Sequence, residues 1–144
     1  MAITQLSAFL ENKPGMLYDA VSAITGAGVN IRALSVADTK DFGILRVIVS
    51  DHEKTKAVLG DNLIVKETQV VAVKMNDQSG ALKEVLEILR DAGVNIDYVY
   101  AFTGGVQDSS YVVLRVDDVE QAESILSQKG IKTFNDEDML DYLA

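Results

Sequence analysis

The stretch Asn12-Lys13-Pro14-Gly15-Met16-Leu17 is answered by Asp77-Gln78-Ser79-Gly80-Ala81-Leu82, and the same offset of 65 residues carries Ala27-Gly28-Val29-Asn30-Ile31 onto Ala92-Gly93-Val94-Asn95-Ile96. Two separated blocks held in one register mark an internal duplication. Between the blocks the apolar positions correspond as well: Leu17, Ala20, Val21 and Ile24 against Leu82, Val85, Leu86 and Leu89. Further on, Leu45-Arg46-Val47 matches Leu114-Arg115-Val116 at an offset of 69, so the second copy carries four extra residues. They fall around Thr103-Gly104-Gly105-Val106-Gln107-Asp108, which reads as a Gly-rich turn between strands. No Pro- or Ser-rich linker separates the copies, and Leu63 to Met75 is nearly continuous strand-like sequence. The expectation is two modules, residues 1–68 and 69–144, packed side by side.

Each copy reads in the same order. An opening strand (Ile3 to Leu10, Val70 to Met75) enters the polar Gly loop, and a helix follows whose apolar residues fall at i, i+3, i+4 and i+7. Gly28 and Gly93 are placed to end those helices, where a left-handed backbone costs glycine little. Two strands come next (Asn30 to Ala37 and Ile44 to Val49; Asn95 to Phe102 and Tyr111 to Val116), then a helix (Glu53 to Leu59; Val119 to Ser127) and a last strand (Leu63 to Thr68; Ile131 to Phe134). This β-α-β-β-α-β order predicts an α+β fold of two ferredoxin-like modules, each an antiparallel sheet with both helices on one face.

Composition narrows the function. With 22 acidic residues against 13 basic ones the formal charge is −9, which disfavours nucleic acid and anionic membrane as partners. Cysteine is absent, so disulfides and thiol chemistry are excluded. The N-terminus has no basic segment leading into an apolar run, and a cytoplasmic protein is expected. Acidic residues gather at Asn135-Asp136-Glu137-Asp138 and Asp141, read as a solvated tail or a short helix capped by Asn135. Gly26-Ala27-Gly28 follows a helix rather than opening one and is no dinucleotide loop. The single histidine, His52, sits in Ser50-Asp51-His52-Glu53 where a strand hands over to a helix, and with no second ligand or Cys partner it reads as a surface loop residue rather than a catalyst. No constellation for catalysis emerges, so an enzyme is not expected, and neither is a cofactor or metal.

The Gly loop is the feature with chemistry in it. A strand, a short polar loop and a helix start bring unpaired backbone N–H groups together, where an anion can sit. Gly15 permits close approach of a ligand, Pro14 restrains the loop, and the Asn12 amide is both donor and acceptor. An α-amino acid would place its carboxylate on the N–H groups and its ammonium on oxygen acceptors. Taken singly, each residue has a plainer reading: Asn12 and Asp77 as helix caps, Asn30 and Asn95 as strand starts, and Tyr98, Tyr100 and Phe102 as a packed sheet face.

Leu10-Glu11-Asn12-Lys13-Pro14-Gly15-Met16-Leu17, followed by Gly28-Val29-Asn30-Ile31, resembles the ACT domain family of small regulatory modules that bind amino acids. The pattern repeats less strictly in the second copy, so nearly the whole chain resembles a tandem ACT protein. The resemblance implies a free amino acid as ligand, held at the interface of paired modules by the loop of one and the second-strand start of the other. On that basis Asn12, Pro14, Gly15, Met16 and Leu17 form one loop, completed by Asn95 and Ile96. The pseudo-symmetric site uses Asp77, Gly80, Ala81 and Leu82 with Asn30 and Ile31. Copy two departs from the pattern at Asp77 and Ser79, which makes its loop more negative and less restrained. A homodimer and a partner enzyme are further expectations, against the alternative of an assembly subunit without ligand.

Overall fold

The computed structural model describes residues 2–38, 41–76, 78–102 and 109–138. The chain divides into two compact units, Thr4–Thr68 and Gln69–Ala144, the latter grouped with Met1–Ile3. The turn read at Thr103 to Asp108, the acidic Asp141 and the site residue Asp77 lie outside the described residues.

The first unit contains β1 (Ile3–Glu11), α1 (Met16–Gly26), β2 (Ile31–Asp38), β3 (Phe42–Val49), α2 (His52–Leu59) and the beginning of β4 (Val65–Asn76). Its strands lie in the order β2-β3-β1-β4. Both β1 and β2 pair antiparallel with β3, with Leu6 opposite Val47 and Val36 opposite Leu45. Alternation along the strands sends Leu6, Ala8, Leu10, Leu45 and Val47 to one face, where Ala20 and Ile24 of α1 and Leu59 of α2 close the core.

The second unit repeats the plan with the remainder of β4, α3 (Ala81–Asp91), β5 (Ile96–Phe102), β6 (Ser109–Val116), α4 (Val119–Gln128) and β7 (Thr133–Phe134). Here β4 lies between β7 and β6, and β5 pairs with β6. Val71, Val73, Val112, Leu114 and Val116 are covered by Val85 and Leu89 of α3 and Ala122 and Leu126 of α4. The residues at i and i+4 on each helix carry that face. The two segments expected as separate strands, Leu63 to Thr68 and Val70 to Met75, merge from Val65 onward into the single strand β4.

The helix ends match the sequence expectation. The N–H groups of Gly28 and Val29 donate to the carbonyls of Thr25 and Ile24, and those of Gly93 and Val94 to Arg90 and Leu89, which satisfies the last carbonyls of α1 and α3. Asn135 does cap a helical turn: its Oδ1 accepts from the Asp138 N–H at 2.8 Å, and Asp138 Oδ2 accepts from the Asn135 N–H at 3.1 Å. Tyr98 and Tyr100 stack at 6.5 Å between centroids, and Phe102 stacks on Tyr111 at 5.1 Å, so this aromatic row is a packed sheet face.

One position separates the units chemically. Five residues after the capping aspartate of its helix, the first unit has Lys56, whose Nζ meets Glu53 at 2.9 Å and Glu67 at 2.8 Å. The second unit has Glu123 there, only 6% exposed. Burial pushes its carboxyl above the ordinary range, opposed by a hydrogen bond with Thr133 and reinforced by Glu120.

Candidate ligand site

The loop leaving β1 is built by backbone hydrogen bonds. The Asn12 N–H donates to the Asp41 carbonyl at 3.1 Å, Lys13 to Glu11 at 2.9 Å and Met16 to Lys13 at 3.3 Å. That winding brings Gly15 to the N-cap of α1 with φ 87°, and the first intrahelical bond runs from the Asp19 N–H to the Gly15 carbonyl at 2.9 Å. Glycine has no side chain to offer the helix, and α1 has no side-chain cap. The donors that a capping side chain would occupy are the N–H groups of Leu17 and Tyr18. A left-handed φ explains why glycine occurs here, since a Cβ at this position would be strained although no atom lies within 4 Å of it. Asn12, three residues upstream, is therefore not the cap of α1.

The loop leaving the end of β4 repeats this geometry. Gln78 donates to Asn76 at 2.8 Å, Ala81 to Gln78 at 3.3 Å and Glu84 to Gly80 at 3.0 Å, with Gly80 at φ 90° and no side-chain cap. The other two helix starts are closed. Asp51 Oδ1 accepts from the Lys54 N–H at 3.0 Å, and Asp118 Oδ1 accepts from the Gln121 N–H at 3.0 Å. Each unit thus caps its second helix with aspartate and leaves its first helix start to backbone donors alone.

The surroundings of the first loop are polar and wet. Asn12, Pro14, Gly15 and Leu17 are exposed, and Met16 is half-buried. Lys13 Nζ pairs with Glu11 Oε2 at 2.7 Å, and the Glu11 carboxylate holds the lysine ammonium above its ordinary value. That pairing leaves the loop with little net charge of its own, so the helix N–H groups carry its attraction for an anion. A groove of about 200 Å³ between α1 and α2 touches the predicted loop only at Met16 and is lined mainly by Ala20, Ala23, Val58 and Leu63. Asp19 and Asn62 also line it, and it is small beside ordinary ligand sites of about 300–1,000 Å³.

The second-strand starts are ordered by different means. The Asn30 N–H donates to Ser50 Oγ at 3.0 Å, and the Ser50 N–H donates to the Asn30 carbonyl at 2.9 Å. The Asn95 side chain instead donates from Nδ2 to Asp97 Oδ1 at 3.2 Å. Asn30 and Asn95 are exposed, while Ile31 and Ile96 are half-buried. The β2–β3 register shifts between Ile31 and Ala33 and the β5–β6 register between Ile96 and Tyr98, which leaves Arg32 and Asp97 as the extra residues.

Within one unit the loop and the strand start do not meet. Glu11 stands opposite Phe42 at one end of β3 and Ile31 opposite Val49 at the other; Asn76 stands opposite Ser109 and Ile96 opposite Val116 on β6. Seven residues of strand separate the halves by about 23 Å. Gly80, Ala81 and Leu82 occupy the second helix start, with Gly80 and Leu82 exposed and Ala81 half-buried. His52, read from sequence as a loop residue, is the first residue of α2 and lies 3.6 Å from Glu53.

Two βαββαβ units, each with a glycine-opened first helix, define a class of paired α+β modules. Residues 1–143 match the ACT domain pair, and the chain belongs to that family of regulatory modules. Among solved structures, it is similar to protein BT0572 from Bacteroides thetaiotaomicron, with 36% identity over 97% of this chain and 96% of that one and a TM-score of 0.90. The fold is shared at 12% identity with the ligand-free regulatory subunit of aspartate kinase from Thermus thermophilus, covering 88% of this chain and 91% of that one with a TM-score of 0.60. It is shared also with aspartokinase alpha and beta subunits, at 15% identity, 87% and 90% coverage and a TM-score of 0.61. No curated protein matches the chain. No described helix is long and apolar enough to cross a membrane.

Proposed function

We propose that this chain is a sensor that binds a free amino acid and transmits its occupancy to a protein partner. The observation that carries the reading is the contrast in helix starts. Asp51 and Asp118 close α2 and α4, whereas α1 and α3 begin at glycine with no side-chain cap. Helix starts left open twice, at matched positions, suit an anionic group such as a carboxylate.

In the proposed site the carboxylate takes the donors behind Gly15, and the ammonium takes oxygen acceptors at Asn95. Pro14 and Asn12 shape the loop, and Met16, Leu17 and Ile96 supply apolar walls. A complete site needs two modules because the loop and the strand start of one module stand at opposite ends of its sheet. A second site would use Asp77, Gly80, Ala81 and Leu82 with Asn30 and Ile31. The output is a change in self-association, as a homodimer, or in a partner enzyme. The exposed Leu34 and Val36 of β2, 41% and 45% accessible, favour an assembly role as the second reading.

A thermal-shift panel of the common amino acids, confirmed by calorimetry, tests the proposal. A ligand at a hundred times its dissociation constant stabilises by about 2.7 kcal/mol, a rise of about 5 to 10 °C in midpoint. Asn12→Ala and Asn95→Ala are each expected to weaken binding. No shift with any amino acid removes the sensing role, and loss with only one variant argues against a site built from both modules.

A further inference from the structure

Asn95 and Asn30 occupy matched positions, yet their neighbours two residues on have opposite charge: Asp97 in the second unit and Arg32 in the first. An asparagine amide is ambiguous toward a ligand because it can present either its NH₂ or its oxygen. A carboxylate removes that ambiguity, since it has only lone pairs and can accept from the NH₂ alone. The Asn95 Nδ2 lies 3.2 Å from Asp97 Oδ1, which fixes the amide with its nitrogen toward Asp97 and its oxygen on the opposite side as an acceptor. A guanidinium has donors and no acceptor, so Arg32 cannot hold Asn30 in that sense. Both residues sit where the register slips against the neighbouring strand, a place where bulges redirect side chains.

We infer that Asp97 is a positioning residue that sets the polarity of the amino-acid site, committing Asn95 to accept from the ligand's ammonium. The inference rests on the proposed sensing function and deepens it by assigning the ligand's ammonium end. The ammonium belongs at the start of β5, where Asp97 adds negative charge. The strand start at Asn30 and Arg32 has the reverse polarity, so it disfavours an ammonium. The two pseudo-symmetric sites therefore differ in ligand preference through these bulge residues as well as through their loops.

The test uses the full chain, the amino acid found by the thermal-shift panel, and the carboxylic acid that lacks only its ammonium, with binding followed by amide chemical-shift titration. Asp97→Ala is expected to weaken the amino acid about tenfold, the scale of a hydrogen bond to a charged group, and to leave the des-amino acid unchanged. Asp97→Glu should restore part of the loss, and Arg32→Ala should alter neither ligand at this site. Equal weakening of both ligands by Asp97→Ala, with an unchanged melting midpoint, overturns the inference and leaves amino-acid binding standing. Unchanged binding of both does the same. Failure of the unsubstituted chain to bind any amino acid overturns the function and the inference together.

Discussion

The turns at Lys13 to Leu17 and Gln78 to Leu82 have matching backbone hydrogen bonds and different side chains. Their caps sit at φ 87° and 90°, and matched hydrogen bonds agree within 0.1 Å: 2.9 against 2.8 Å, 3.3 against 3.3 Å and 2.9 against 3.0 Å. Yet the first contains Pro14 and an ion-paired Lys13, where the second has Ser79 and Gln78. Neither proline nor the ion pair is therefore needed to make this turn. What the two share is a strand end, a left-handed glycine and a helix start, and those suffice.

The comparison breaks most severely at the glycines. Gly15→Val and Gly80→Val should each cost about 1–2 kcal/mol, because a side chain in the left-handed region is strained even in open space. The two should lower the melting midpoint alike, but only Gly15→Val should abolish calorimetric binding at the first loop. Equal loss of binding from both would show that the loops are functionally interchangeable.

Next in size come the closed helices. Asp51→Ala and Asp118→Ala each remove one capping bond and should cost about 1 kcal/mol, with amino-acid affinity unchanged. If either lost affinity in calorimetry, the division between structural and ligand-facing helix starts would fail.

The smallest effect is expected at Glu123, the position filled by Lys56 in the first unit. Its folded-state value is raised, so protonation favours the native state. The stabilisation is complete below the carboxylate's unfolded value and is lost as pH rises through the folded one. Denaturant melts over the acidic to neutral range should show this decline, and Glu123→Gln should flatten it. A Gln variant with the same pH profile would place the titration elsewhere.

Much of the fold was legible because duplication doubled every signal. Leu17, Ala20, Val21 and Ile24 set the helical period, and the same period in Leu82, Val85, Leu86 and Leu89 removes the ambiguity of a single helix. Gly28 and Gly93 ended their helices as expected, since few residues tolerate that backbone. The caps of α1 and α3 were less legible. Asn12 has the chemistry of a cap, but the Lys13 to Glu11 turn winds the chain on so that Gly15 takes the position. The bulges at Arg32 and Asp97 were illegible for another reason, because a register slip is a property of two strands read against each other. Asn95-Ile96-Asp97 did hold one signal, a donor and a carboxylate two residues apart, which needed comparison with Asn30-Ile31-Arg32 to stand out.

The matched loop backbones make this chain its own grafting scaffold. Residues 12–17 can be exchanged with 77–82 without altering the length of the chain, and each graft arrives between a strand end and a helix start of the kind it left. Such a swap transplants the chemistry of the proposed ligand loop while leaving composition and charge constant. Recognition by the loop and recognition by its strand partner can then be separated inside one molecule, each copy serving as the other's control.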